Sequence, residues 1–197
     1  MKKLILLLIP LTLLISKESR CQTRKGNILL GGDFANFDLG LQKGAGFQMR
    51  IDPKLGIFFH DHFAMGAYAS FNYQNVSKSS SITFGAGLLS RFYTKGKSGQ
   101  DGLDRSSFFF EITAGLAGSH ITNGTSTDGL GLGAGPGYTF FLSPNIGLET
   151  LLKYDGLLGF GSKALQSDLN LNIGFQIYLD SHKMRKTVTE DMDAKHR

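Results

Sequence analysis

The sequence predicts an all-β protein, an eight-stranded antiparallel up-and-down transmembrane β-barrel. Apolar residues recur at every second position in one segment after another, which is the period of a β-strand. Eight such segments follow each other with short polar turns between them, as in up-and-down barrels. One face of these strands carries almost no charge, and this composition indicates whether the barrel is surrounded by lipid or by water.

Residues 1–21 indicate a secretory signal peptide, removed from the mature chain. Two lysines precede a 12-residue apolar run at residues 4–15, which is too short to cross a bilayer. Small residues at Ser19 and Cys21 predict cleavage before Gln22. Lipid modification of Cys21 is the alternative, and the bulky Arg20 beside it argues against that. Because most of the net charge of +5 lies in this segment, no basic stripe remains for nucleic acid.

The barrel domain is predicted to span residues 22–179. Strand one contains a slip in the alternating pattern near Ala35. Pro53 in strand two and Pro136 in strand six cannot donate a ladder hydrogen bond, so we expect a bulge at each. Residues 180–197 are charged and aperiodic, which predicts a disordered periplasmic tail. The eight predicted strands are residues 27–41, 47–58, 63–74, 82–93, 108–121, 130–141, 146–155 and 169–179.

The two faces of strands two to eight differ in charge. One face has no Asp, Glu, Lys or Arg, and the other is mostly Gly, Ser, Asn, Gln and Thr. A soluble barrel would turn its polar face to water, and about a quarter to a third of the residues on such a face are usually charged. We therefore expect the apolar face to contact lipid and the polar face to line the lumen. The lumen charges form the predicted lumen cluster: Arg50, Asp52, Lys54, Arg91, Glu111, Glu149 and Lys153.

Four cations and three anions in the predicted lumen cluster nearly cancel, as buried charges must. The interpretation we favour is a structural ion-pair cluster that fills the barrel; a gate or proton-linked pore is the alternative. Strand six offers Gly131, Gly133, Gly135 and Gly137 on the inner face. These glycines would leave room for long side chains from the opposite wall, since eight strands enclose only a narrow interior.

Aromatic residues gather near both ends of the predicted strands, as in the aromatic girdles of outer-membrane barrels. The girdle predicted at the short-turn end contains Phe58, Phe59, Phe63, Phe92, Tyr93, Phe108, Phe109, Phe110, Phe140, Phe141 and Tyr178. The girdle predicted at the other end contains Phe71, Tyr73, Tyr154 and Phe160.

Three stretches carry a family resemblance: "PKLGIFFHDHFAMGAYASFNY", "GLGAGPGYTFFLSPNIGLETLLKY" and "LNLNIGFQIYL". The chain resembles the small outer-membrane β-barrel proteins of Gram-negative bacteria, the OmpA/OmpX-like group, over residues 27–179. The resemblance implies an outer-membrane location with short periplasmic turns and both termini in the periplasm. It also implies outer-membrane lipid and the barrel-assembly machinery as partners, with an extracellular ligand left unidentified.

His120, Thr122 and Asn123 form a candidate hydrolase site. The stretch is similar to one that an eight-stranded lipid A deacylase family carries on its lipid-facing wall. Here the nucleophile position is Thr122, and Glu149 faces inward, so no acid orients the histidine. An interfacial histidine at a strand end is the alternative that we favour.

The turn at residues 60–62, His-Asp-His, offers too few ligands for a metal site, and we expect neither a metal nor another cofactor. The sequence thus predicts a membrane barrel with a structural or surface-interaction role, without enzymatic activity and without nucleic-acid partners. A lipid A-modifying hydrolase, a narrow small-solute pore and a soluble ligand-binding barrel are the alternatives.

Overall fold

A computed structural model describes residues 22–39, 47–76, 79–98, 104–122, 126–160 and 165–180 of the chain. The predicted signal peptide and nearly all of the predicted tail lie outside these residues. Within the described ranges, no helix combines the length and apolar character needed to cross a membrane.

Eight long strands form the structure, and each overlaps its predicted counterpart. Strands β2 to β8 extend beyond the predicted bounds because ladder hydrogen bonds continue where the apolar alternation has stopped, whereas β1 is shorter than predicted over the described residues. Ser79, for example, pairs with Val76 in a serine-rich stretch without the period-two pattern. A further two-residue strand, Lys97–Ser98, pairs with β5. The barrel strands are β1 (Ile28–Leu39), β2 (Phe47–His60), β3 (Phe63–Val76), β4 (Ser79–Tyr93), β5 (Asp104–Ile121), β6 (Thr127–Ser143), β7 (Ile146–Gly159) and β8 (Leu165–Leu179).

Each strand pairs antiparallel with its neighbours in sequence, and β1 pairs with β8 to close the ring. The closing ladder runs from Ile28 opposite Leu179 to Ala35 opposite Asn172. Over these eight pairs the ladder satisfies the backbone groups of the two terminal strands, as the hydrocarbon core of a bilayer requires. The predicted fold class, an eight-stranded antiparallel barrel of the transmembrane type, is confirmed.

The bulges expected at Pro53 and Pro136 are absent, and that prediction is wrong. Pro53 lies opposite Gly32 and Pro136 opposite Phe110 with no register shift at either place. In an antiparallel ladder each residue bonds to one neighbouring strand, so a proline removes one bond without requiring an extra residue. The slip near Ala35 does coincide with a shift, between Ala35 and Asp38.

The outer wall is predominantly apolar over the described residues. In β8, Leu171, Ile173 and Phe175 are exposed, while the intervening Asn172 and Gly174 are buried. The other strands repeat this alternation. Large apolar side chains exposed on so many strands rule out a soluble barrel, because a water-facing wall would carry charged residues instead. The exposed set includes Phe34, Leu55, Ile57, Met65, Phe84, Leu88, Ile112, Leu116, Leu132, Leu148 and Leu152.

Ile173→Arg tests the assignment of the lipid-facing wall. Ile173 is 56% exposed and sits midway along β8, so arginine there would enter the centre of the apolar band. We expect a loss of about 2 to 4 kcal/mol in the free energy of unfolding, measured by urea titration in lipid vesicles.

Leu142→Arg is the matched control for depth, because Leu142 is outward-facing but lies at the end of β6. The same substitution near an interface should cost only about 0 to 1 kcal/mol. Equal costs at the two positions would contradict a membrane band centred on Ile173.

Candidate functional site

The deepest charges in the lumen are held in one continuous set of ion pairs. Arg91 is fully buried; its Nε donates to Glu111 Oε2 at 2.6 Å and its Nη1 to Glu149 Oε2 at 2.7 Å. Lys54 Nζ lies 2.8 Å from the same Glu111 Oε2 and also pairs with Asp33. These side chains come from five strands: β1, β2, β4, β5 and β7. The ion pairs therefore connect strands that are not adjacent in the sheet.

A second set of ion pairs lies nearer the end of the barrel where the β5–β6 hairpin turns. Arg50 Nε is 3.0 Å from Asp52 Oδ2, and Arg50 Nη2 is 3.1 Å from Asp155 Oδ2. Lys153 Nζ contacts Asp155 Oδ1 at 3.0 Å and reaches Glu111 Oε1 at 4.0 Å, which links the two sets. The structure therefore brings together all seven residues of the predicted lumen cluster.

Sequence reasoning missed two members of this network, Asp33 and Asp155. Asp33 lies in β1, where the phase slip obscured the inner face. Asp155 shares the parity of Glu149 and Lys153, so alternation along β7 could have found it. With both added, the described network holds four cations and five carboxylates, and Asp155 is 25% exposed whereas the other four carboxylates are buried. The dry part of the lumen is thus balanced, and the extra negative charge meets solvent.

Hydroxyl groups complete the coordination of Glu149. Its Oε1 accepts hydrogen bonds from Tyr178 at 2.8 Å and from Thr139 at 3.0 Å. Arg91 Nη1 also donates to the hydroxyl of Tyr93, 3.1 Å away, and the two tyrosine hydroxyls are 3.3 Å apart. The charged network therefore passes directly into a group of aromatic side chains.

Five inward aromatic side chains, Phe58, Tyr93, Phe109, Phe141 and Tyr178, fill the short-turn end; we call them the aromatic plug. Ring centroids lie 5.6 Å apart in the pair Phe58–Tyr93, 5.5 Å apart in Tyr93–Phe109, 5.2 Å apart in Phe141–Tyr178 and 6.2 Å apart in Phe58–Tyr178. The prediction that these five belong to the outer girdle is wrong, because they alternate with the outward rings and so face the lumen. The rings that do face outward at this end include Phe59, Phe92, Phe108, Phe110 and Phe140.

The sequence predicts that the glycines of β6 leave room for side chains from the opposite wall. Instead they make room for side chains of the two adjacent strands, β5 and β7. A Cβ at Gly137 would overlap the ring of Phe109 in β5. At Gly133 it would lie 2.5 Å from both Lys153 Cε and Asp155 Oδ1, which belong to β7. The side chains of β5 and β7 thus lean across β6 to meet inside the barrel.

A polar cavity of about 380 Å³ occupies the opposite end of the lumen; we call it the mouth cavity. Arg50, Lys153 and Asp155 line its inner end together with Tyr68, whose ring lies 5.3 Å from Lys153 Nζ. Uncharged polar side chains make up most of the remaining wall: Ser70, Asn72, Gln74, Ser81, Thr83, Ser119 and Asn170. One end of the barrel is therefore packed and the other is hollow and polar.

The segment before β1 folds across the packed end. Gln22 and Thr23 are buried, and Thr23 Oγ1 is 2.9 Å from Nδ1 of His62 in the β2–β3 turn. Asp61 of that turn accepts a hydrogen bond from Lys25 N at 2.9 Å. The β2–β3 turn thus anchors the segment before β1. Among the described residues, no cluster of three potential ligands could hold a metal.

The candidate hydrolase residues do not assemble as the sequence suggested. His120 faces outward, but its Nδ1 is 2.8 Å from Ser126 Oγ, whereas the hydroxyl of Thr122 is bonded to Ser80 Oγ at 2.7 Å. Asn123 lies outside the described residues. Glu149 is inside the barrel, as its parity predicts.

No protein-family model matches the chain, and no curated protein matches its sequence. Solved structures do match: Neisserial surface protein A is 15% identical with a TM-score of 0.51, over 77% of this chain and 94% of that one. This is the fold of a small outer-membrane barrel.

Two further solved structures match over similar lengths. The N-terminal β-barrel domain of Pseudomonas aeruginosa OprF is 12% identical, with a TM-score of 0.49 over 79% of this chain and 98% of that one. The attachment invasion locus protein of Yersinia pestis, Ail, is 13% identical, with a TM-score of 0.49 over 78% and 99%. At this identity the likeness concerns the fold, and the resemblance drawn from the sequence is confirmed at that level.

Glu111→Gln tests how far stability depends on the network. Glu111 accepts from Lys54 and Arg91 together, so the neutral amide leaves two buried cations short of one carboxylate. We expect a loss of about 3 to 5 kcal/mol in the free energy of unfolding. Asp155→Asn is the control, since Asp155 meets solvent, and its effect should be clearly smaller. Equal effects would show that burial does not set the cost.

Gly137→Ala tests the packing of the aromatic plug. The new methyl group would overlap Phe109, and relieving that overlap should cost about 1 to 3 kcal/mol of stability. At Gly131 the nearest atom to a new Cβ is Ala117 Cβ, 3.0 Å away, so Gly131→Ala should cost less. Adding Phe109→Leu to Gly137→Ala should recover part of the loss in thermal unfolding; no recovery would mean that another contact is responsible.

Proposed function

We propose that the protein is an integral outer-membrane β-barrel with a structural or surface-interaction role and a lumen that does not conduct. The observation that carries this proposal is the packing of the interior. From Tyr178 through Glu149, Arg91, Glu111 and Lys54, side chains bonded to one another cross the barrel without a break. A solute would have to disrupt several buried ion pairs to pass.

The geometry of the two ends supports an orientation. β1 begins and β8 ends at the packed end, beside two tight turns, and this is the end that faces the periplasm in our proposal. The mouth cavity then faces the exterior. The outer-membrane lipid surrounds the apolar wall, and the barrel-assembly machinery inserts the chain after the signal peptide is removed.

The mouth end is where an external partner would bind in this proposal. Its walls are polar but nearly balanced in charge, which favours a small polar ligand or a protein surface over nucleic acid.

The decisive experiment combines location with conductance. The mature chain should fractionate with outer membranes and migrate faster on a gel when unheated than when boiled, as closed barrels do. Reconstituted in a planar bilayer, it should show no channel steps above the lipid baseline. Recovery as a soluble monomer without detergent would overturn the membrane assignment, and steady channel steps would overturn the closed lumen.

Surface labelling tests the orientation. Thr122→Cys lies at the mouth end and Asp61→Cys at the packed end, and both side chains are exposed. A membrane-impermeant maleimide added to intact cells should label Thr122→Cys and should reach Asp61→Cys only after lysis. The opposite pattern would place the termini outside the cell.

A further inference from the structure

A hydroxyl, an imidazole and a carboxylate meet on the outer wall beside the mouth of the barrel. Ser126 Oγ lies 2.8 Å from His120 Nδ1, within hydrogen-bond distance. The other ring nitrogen, His120 Nε2, lies 3.6 Å from Asp128 Oδ1, close enough for an ion pair when the ring is protonated. A nucleophile bonded to a base, with an acid on the far side of that base, is the arrangement that activates a serine.

The β5–β6 hairpin sets this geometry. His120 is near the end of β5, Asp128 is near the start of β6, and both point outward by strand parity. The ring of Phe84 on β4 stacks against His120, with centroids 5.5 Å apart and planes 12° from parallel. At Gly118, a Cβ would overlap the Asp128 carboxylate and lie 2.8 Å from Phe84 Cζ. The glycine thus lets both groups flank the histidine.

Exposed apolar side chains adjoin the three polar ones. Phe84 and Leu116 are outward-facing on β4 and β5, and Leu130 is outward-facing on β6. Phe160 is exposed beside Asp128, whose backbone carbonyl accepts from Phe160 N at 2.7 Å. The three polar side chains therefore border the apolar band of the outer wall at its mouth end.

We propose that Ser126, His120 and Asp128 form a serine-hydrolase site that cleaves acyl ester bonds of membrane lipids at the bilayer surface. This activity goes beyond the proposed function, which assigns no chemistry to the outer wall, and it sets aside the expectation of a protein without enzymatic activity. The residues also differ from those the sequence suggested, because Ser126 replaces Thr122 as the nucleophile and Asp128 supplies the acid.

The chemistry needs only the lipid ester and water. Ser126 Oγ attacks the ester carbonyl carbon while its proton passes to His120 Nδ1. The tetrahedral adduct collapses, the bond between the carbonyl carbon and the alcohol oxygen breaks, and His120 returns the proton to the leaving alcohol. Water then attacks the acyl-serine, its proton again passes to His120, and Ser126 Oγ takes that proton as the fatty acid leaves.

Asp128 is a positioning residue in this scheme. Its carboxylate faces His120 Nε2 and favours the tautomer with a proton on that nitrogen, which leaves Nδ1 unprotonated to accept from Ser126. It also stabilises the imidazolium that forms during each proton transfer. Asp128→Asn should therefore lower kcat for the lipid ester while KM stays unchanged, and Asp128→Glu should restore part of the lost rate, which a purely structural role would not do.

The test uses the full mature chain in phosphatidylethanolamine and phosphatidylglycerol vesicles. A fluorophosphonate probe followed by peptide mass spectrometry should find Ser126 as the labelled residue, and free fatty acid should accumulate. Ser126→Ala should abolish labelling and lower fatty-acid release by at least about 100-fold, and His120→Gln should have a similar effect on rate. Thr122→Ala, on the same hairpin, should retain both.

Heat-dependent gel mobility shows that each variant is folded, so a loss of activity is not a loss of the barrel. Absence of fluorophosphonate labelling and of fatty-acid release in the folded parent would overturn the proposal. Release that persists in Ser126→Ala, or that Thr122→Ala abolishes, would overturn the assignment of the nucleophile. None of these outcomes changes the conductance and location tests, so the two proposals fail separately.

Discussion

The ladder between β1 and β8 closes the sheet, and the rest of the structure depends on that closure. In hydrocarbon, an unpaired backbone amide has no water to bind, so a strand edge could not remain open. Closing only eight strands gives an interior just wide enough for side chains. The bilayer thus requires an apolar outer wall. The small diameter of an eight-stranded barrel limits the space that is left for the polar side chains inside.

A narrow interior forces the charged residues to satisfy one another. Arg91 cannot reach water, so its guanidinium contacts two carboxylates and a tyrosine hydroxyl. The remaining dry volume is filled by rings, and Arg91 itself lies 4.6 Å from the ring centroid of Phe109. The ion-paired side chains and the aromatic side chains therefore pack into one continuous interior. A substitution in either group is expected to disturb the packing of the other. Where the lumen meets solvent, as at Asp155, an excess charge is tolerated.

The two ends of the barrel consequently serve different purposes. At the packed end β1 begins and β8 ends beside tight turns, and the buried Gln22 and Thr23 of the segment before β1 close this end further. The mouth end keeps a polar cavity on the inside and the Ser126–His120–Asp128 group on the outside. Chemistry at the mouth does not need a pore, because its substrates can arrive from the surrounding lipid or from the exterior.

The period-two alternation by itself determined the strands and both faces. It placed Ile173 outside and Glu111 inside, because in a strand of one phase successive side chains must point to opposite walls. Only the tertiary structure decided which charges pair across the ring, and it added Asp33 from a strand whose phase slips. It also showed that Pro53 needs no bulge. The approach of His120 to Asp128 depends on how β5 pairs with β6, and alternation along a single strand carries no information about that pairing.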